Sequence, residues 1–231
     1  MAFEVSAEAA RVSSNGQGPS DYLYAIVQGL PRRWRPPASG VGAATVVARS
    51  VRDLVLITSV IEAAPRRTPM TIARHEEVVS STLEAEAVLP LEFGTVASPP
   101  HFDAWLVAHL GFVRAHLGRL RRHVEMTIRL VSLTSTTGSS ALLRTTAECL
   151  VERAGLSEWR YRDDGPTGLS SSLAFLVPRD AVPDFLARIA PVAARARAIA
   201  VVPTGPCAPL SFSPQLCVAL ARADRRLARA G

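Results

Sequence analysis

The sequence contains no lysine: all 26 of its basic side chains are arginines, set against 20 acidic residues for a formal net charge of +6. Arginine without lysine, in an alanine-rich chain, reads as a coding bias, so the basic excess reflects composition before it reflects a ligand. Cysteine is scarce, at 3 of 231 residues with no CxxC pair, which excludes a disulfide scaffold. Cys149, Cys207 and Cys217 sit in apolar settings and are expected to be buried reduced thiols. Aromatic residues make up only 6% of the chain. None interleaves the arginine clusters 114–122 and 222–229, which argues against a base-stacking nucleic-acid surface. No run of 18 uncharged apolar residues occurs, so no transmembrane helix is expected. What is present is a 48% hydrophobic chain, far too apolar for disorder and long enough for one large or two small domains.

Recognisable chemistry is also missing. There is no P-loop, no GxSxG and no HExxH. Gly40-Val41-Gly42 lacks the third glycine of a dinucleotide loop and leads into a strand pattern instead of a helix. His109, His116 and His123 are seven apart. On a helix the first two stand about 11 Å apart, too far to share a metal. His75 is followed by Glu76 and Glu77, but adjacent helical residues diverge by about 100° and do not converge on a substrate. The expectation is no catalytic residue, no cofactor, no metal, and a protein that is not an enzyme.

Hydrophobic patterning gives an α+β chain. Residues 22–27, 44–49 and 53–61 read as strands, and 71–86 as a helix with Ile72, Val79 and Leu83 on one stripe. Residues 88–96 read as an irregular strand that Pro90 confines to an edge. Phe102, Leu106, Leu110, Val113, Leu117 and Leu120 predict one helix after Pro99-Pro100. The second half reads strand 124–133, helix 141–154 ending at Gly155, strands 159–162 and 170–177, helix 181–197 kinked near Pro191, and strand 199–203. That order is the ferredoxin-like split βαβ pattern. Four segments are expected: a polar leader (1–20) that is not a signal peptide, an N-terminal α+β domain (21–121), a C-terminal α+β domain (122–212) and a basic amphipathic helix (213–231). A continuous core joining the two middle segments fits the sequence equally well.

Four blocks occur in a fixed order. They are Tyr22-Leu23-Tyr24-Ala25-Ile26-Val27; Arg74-His75-Glu76-Glu77-Val78-Val79 followed by Val88-Leu89-Pro90-Leu91-Glu92-Phe93-Gly94-Thr95-Val96; Leu173-Ala174-Phe175-Leu176-Val177-Pro178-Arg179; and Thr204-Gly205-Pro206-Cys207-Ala208-Pro209-Leu210-Ser211-Phe212. Together they resemble the gas vesicle accessory proteins of the F/L family, across roughly residues 21–212. The most specific piece is the pairing of H-x-x-V-V with V-L-P-L-x-F-G-T-V. Three features depart from the family pattern: Glu92 stands where a basic residue is usual, Cys207, Ala208 and Leu210 stand in a block that usually reads T-G-P-W-P-P-Y-S-F, and the tail 213–231 reads as an extension.

The resemblance implies two α+β domains, the first a modified ferredoxin-like one. It also implies a minor, non-enzymatic role in vesicle assembly in the cytoplasm, through contacts with the small hydrophobic shell subunit and other accessory proteins. The signature residues it singles out, as structural or partner contacts, are Arg74, His75, Val79, Leu89, Pro90, Phe93, Gly94, Thr95, Gly205, Pro206 and Phe212. Read from the sequence itself, Gly205-Pro206 should end the last strand in a turn. Arg222, Arg225, Arg226 and Arg229 share the final amphipathic segment with Leu216, Leu220 and Leu227 and are candidates for docking an acidic partner or anionic surface. Neither nucleic acid nor membrane is expected as a partner. The competing reading is a ferredoxin-like small-molecule sensor or regulatory module, which rests on fold analogy alone.

Overall fold

The computed structural model describes residues 20–134, 139–164, 168–214 and 216. The first half holds strands β1 (Ser20–Gln28), β2 (Val46–Val51) and β3 (Leu54–Ile61), helix α1 (Pro69–Ser80), strands β4 (Ala87–Pro90) and β5 (Val96–Ala97), and helices α2 (Pro99–Ala108) and α3 (Leu110–Leu120). The second half holds β6 (His123–Ser132), α4 (Ser139–Ala154), β7 (Trp159–Asp163), β8 (Ser170–Pro178), α5 (Val182–Arg195) and β9 (Ile199–Cys207).

Both sheets are antiparallel and share one strand order. The second runs β7-β8-β6-β9, the ferredoxin-like arrangement that its strand–helix order predicts. The first runs β2-β3-β1-β4, with β5 also paired to β1. It is the same order with the first crossover helix replaced by residues 29–45, which carry only a short 3-10 turn at Val41–Ala43. This is the modified ferredoxin-like half. Pro90 closes β4 at the sheet edge, where its missing N–H removes no ladder bond.

Three apolar clusters fill the molecule. One lies between α1 and the first sheet, with Tyr22, Tyr24, Val27, Ile57, Val78 and Val79. A second lies under α4 and α5, with Val124, Met126, Ile128, Leu130, Leu150, Phe175 and Phe185. The inward set on β6 is the one that alternation predicts. The third joins the halves: Leu23, Ile26 and Leu56 of the first sheet, Phe102, Leu106, Val113 and Leu117 of α2 and α3, Ala174 and Leu176 of β8, and Phe212 and Leu216 all belong to it. Main-chain bonds reinforce the join. The Arg122 N–H donates to the Glu86 carbonyl at 2.7 Å, and the Arg122 carbonyl accepts from the Arg179 N–H at 2.8 Å. The Arg179 guanidinium donates to the Ala85 carbonyl at 2.9 Å.

Several expectations are corrected. The helix of residues 99–120 is two helices, broken at His109, which leaves helical geometry (φ −113°, ψ 18°) and turns its ring onto the Trp105 carbonyl. Helix α1 stops at Ser80 instead of Glu86, because the Ser81 and Thr82 hydroxyls donate to the Val78 and Val79 carbonyls at 2.7 Å each. Strand β9 runs through the cis Gly205–Pro206 bond to Cys207 instead of ending in a turn there, because it keeps pairing with β6 across a register shift. Glu125, on the polar side of the β6 alternation, is buried. Cys149 is exposed, because it lies on the outward side of α4, and Cys207 is partly buried. Residues 1–19 of the leader, and Cys217, Arg222, Arg225, Arg226 and Arg229, lie outside the described residues.

Phe212 is 3% exposed in the cluster common to both halves. Phe212→Ala is therefore expected to lower unfolding stability by about 3–5 kcal/mol, read by urea denaturation.

Candidate functional site

The first two signature blocks meet on the α1 side of β1. Strand β1 is buried along its length because α1 covers one face and α2 with α3 the other. A β-bulge at Tyr24 changes the parity along the strand: Leu23 pairs with Thr58 and Ala25 with Ile57, leaving Tyr24 as the extra residue. Tyr22 and Tyr24 face α1 by ordinary alternation, and the bulge brings Ala25 and Val27 to the same side. The Tyr24 hydroxyl accepts from the Val41 N–H at 2.8 Å and lies 3.1 Å from the Ser59 hydroxyl. Gly40 is required beside it, since a Cβ there would fall 2.2 Å from the Tyr24 oxygen. Of the two glycines that resemble a phosphate loop, Gly40 serves this close approach and Gly42 holds φ +68° in the turn that follows.

Helix α1 begins at a capping box between Thr68 and Thr71, with Pro69 in its first turn. Two turns on, it places His75 over β1. The Nε2 atom of His75 lies 3.1 Å from the Leu91 carbonyl, which can only accept, so Nε2 carries the proton. Nδ1 then accepts from the Tyr22 hydroxyl at 2.9 Å, and that hydroxyl accepts from the Gly94 N–H at 3.1 Å. The chain Gly94–Tyr22–His75–Leu91 closes on itself. Burial pushes the His75 pKa down to about 4, helped by the positive charge of Arg67, so the ring is neutral near pH 7. Tyr24 stacks on His75 at 5.5 Å, and Phe93 meets Tyr22 and His75 edge-on at 6.0 and 5.8 Å. Arg67 covers the outer face of Phe93 at 5.5 Å. Gly94 has φ +90°, a conformation other residues rarely take. Thr95 ties the turn, its hydroxyl donating to the Glu92 carbonyl at 2.7 Å.

The remaining signature residues separate. Val79 is buried on the α1 side, whereas Leu89 faces the core shared with α2 and α3. Pro90 pairs with Ala25 on β1. Arg74 makes only an exposed ion pair with Glu77 at 2.6 Å. Glu92, the departure in the second block, is exposed and enters these contacts through its main-chain carbonyl, the acceptor of the Thr95 bond.

The fourth block forms a second centre around Glu125. Its carboxylate accepts from the Ser211 N–H at 2.8 Å and the Ser211 hydroxyl at 2.7 Å, and burial raises its pKa against those bonds. Gly205 has φ +119°, and a Cβ there would lie 2.8 Å from the Glu125 carbonyl. Pro206 is exposed on β9. Cys207 donates to that same carbonyl, and burial pushes its thiol up to about 12. The Phe212 carbonyl accepts from Arg119, and its ring carries Arg160 at 5.3 Å. Glu125 is not singled out by sequence reasoning, its one signal being an acid inside a β-branched strand, and Arg179 enters there only as the last residue of the third block. Among the described residues no group of three or more His, Cys, Asp or Glu side chains could hold a metal ion.

Residues 21–158 match the family model described as gas vesicle synthesis protein GvpL/GvpF. The chain belongs to this family. The solved structures agree in fold. The gas vesicle protein GvpF from Anabaena sp. PCC7120 superposes with a TM-score of 0.74 at 14% identity, over 85% of this chain and 97% of that one. GvpF from Microcystis aeruginosa gives 0.69 at 14% identity, over 84% and 99%. No curated protein matches the sequence. Within this GvpL/GvpF chain the matched span contains the whole His75 centre, while the third and fourth blocks lie beyond it. Family membership supports an accessory role in gas vesicles. No helix among the described residues is long and apolar enough to cross a membrane.

The His75 centre makes a pH prediction. The folded pKa, about 4, lies below the ordinary 6.5. Above pH 6.5 the imidazole is neutral in both states. As pH falls the unfolded chain takes up the proton first, so stability drops between pH 6.5 and 4, by about 3 kcal/mol in total. Urea unfolding across that range should show the drop. His75→Leu should flatten it, while lowering stability at pH 7 by about 1–3 kcal/mol through loss of the imidazole bonds to the Tyr22 hydroxyl and the Leu91 carbonyl.

Proposed function

We propose that this protein is a non-enzymatic assembly component of gas vesicles, acting in the cytoplasm by binding the small hydrophobic shell subunit and other accessory proteins. The observation that carries the reading is the family match over the His75 centre together with what that centre does. Both imidazole nitrogens are committed, one to Tyr22 and one to the Leu91 carbonyl, and the ring is 5% exposed. A neutral, buried, doubly bonded histidine holds a turn in place; it has no free nitrogen with which to move a substrate proton. The signature residues His75, Phe93, Gly94 and Thr95 therefore shape a rigid scaffold, and partners are met elsewhere, on sheet edges, helix faces and the arginine-rich C-terminal segment.

Co-expression with shell and accessory subunits, followed by pull-down of the folded chain, tests this. Capture of at least one vesicle protein is expected; capture of none sinks the reading. Deleting residues 217–231 removes Arg222, Arg225, Arg226 and Arg229 but spares Leu216, which is 3% exposed in the shared core. That deletion is expected to weaken capture while the thermal midpoint stays nearly unchanged. A large fall in the midpoint would instead give the segment a stabilising role.

A further inference from the structure

The arginines differ in what they touch. Around the first sheet many are neutralised: Arg33 by Glu84, Arg49 by Asp21 and Asp103, Arg114 by Asp53, and Arg121 by Glu86. On the helical side of the second sheet the pattern changes. No ion pair among the described residues involves Arg153, Arg195 or Arg197. All three line one groove of about 800 Å³, formed by α4, the end of α5 and the link into β9. Glu152 is the one acid on its wall.

The rest of the lining is apolar or small. On α4 it includes Leu142, Thr146, Cys149 and Arg153, at spacings of four, three and four. Those positions form one continuous stripe, about 16 Å long at 1.5 Å per residue. Val192 and Ile199 line the groove from α5 and β9, and Leu142 is 44% exposed above them. A trough this long, mixing apolar and small side chains with three guanidinium groups that form no ion pair, complements a helix with an apolar stripe and carboxylates beside it. It holds no aromatic side chain on which a nucleic-acid base could stack. The chain itself supplies a poor occupant. Its net charge is +6, and four of its arginines lie in its last fifteen residues, so a second copy or its own terminus would place like charge on like.

We propose that the α4–α5 groove docks an acidic amphipathic helical segment of a partner protein. Its apolar residues pack on Leu142 and the part-exposed Val192, above the buried Ile199, and its carboxylates pair with Arg153, Arg195 and Arg197. The proposed vesicle role bears only on which protein supplies that segment.

Cys149 allows a direct test, because it is exposed on the groove wall whereas the Cys207 thiol is pushed up to about 12. The probe is a synthetic helical peptide with leucines on one stripe and glutamates flanking it, compared with a twin in which lysines replace the glutamates. In the full chain carrying Cys217→Ser, the acidic peptide at ten times its dissociation constant should slow maleimide labelling of Cys149 about tenfold by mass action. The basic twin should leave the rate unchanged. The double variant Arg153→Glu/Arg195→Glu, with folding checked by circular dichroism, should lose protection by the acidic peptide and gain it from the basic one. Leu142→Ser should weaken protection with no change of charge. Equal protection by both peptides, protection by neither, or full protection by the acidic peptide in the double variant overturns the proposal. The pull-down separates the two claims. If the wild-type chain and the double variant capture vesicle proteins equally, the groove is not their dock and the assembly role stands. If the acidic peptide protects Cys149 but no vesicle protein is captured, the groove stands and the assembly role falls.

Discussion

A strand buried on both faces is the constraint from which most of this architecture follows. Strand β1 must pack Tyr22 and Tyr24 under α1 while sending Leu23 and Ile26 into the core of α2 and α3. Regular alternation cannot put residues 24 and 25 on one side and 23 and 26 on the other; the extra residue at Tyr24 can. The two tyrosine hydroxyls reach different targets. Tyr24 fixes the loop that replaces the missing crossover helix, through Val41 and the space left at Gly40. Tyr22 fixes the turn after β4, through Gly94 and His75. The most recognisable motif in the sequence is thus a device for covering a sheet that has lost a helix.

That device also explains why a histidine within a signature motif need not be catalytic. The nitrogen that faces Leu91 must donate and the one that faces Tyr22 must accept, so the hydrogen-bond chain selects a single neutral tautomer. A charged ring would place two donors where only one acceptor is available without the tyrosine reversing its own bond. Burial and the hydrogen-bond pattern therefore favour the same state.

Much of the fold was legible in the residues. The strand–helix order of the second half, the inward set on β6 and the stop at Gly155 all follow from period and capping, because those signals are local. What was not legible depends on contacts distant in sequence or on side chains competing with the backbone. The break at His109 leaves the apolar spacing of α2 and α3 intact, so periodicity alone reads through it. The hydroxyls of Ser81 and Thr82 end α1 early by capturing carbonyls that the helix would have used. Burial of Glu125 depends on Ser211, 86 positions away, and no local pattern announces that partner. The individual residues of the His75 centre were legible as a motif, but their mutual hydrogen bonding was not. Exposure of Cys149 was misread because apolar neighbours in sequence lie on other sides of a helix.

The junction at Arg122 has a consequence for how such proteins diverge. Arg122 holds φ +56°, with its N–H on Glu86 and its carbonyl on Arg179. Both bonds are made by main-chain atoms, which every residue except proline can supply in full. A junction built this way asks of its residue a main-chain N–H, a carbonyl and tolerance of a positive φ, and it works alongside the apolar cluster that the two halves share. An arrangement fixed by peptide groups can outlast the letters that first encoded it, which is consistent with a shared shape at 14% identity.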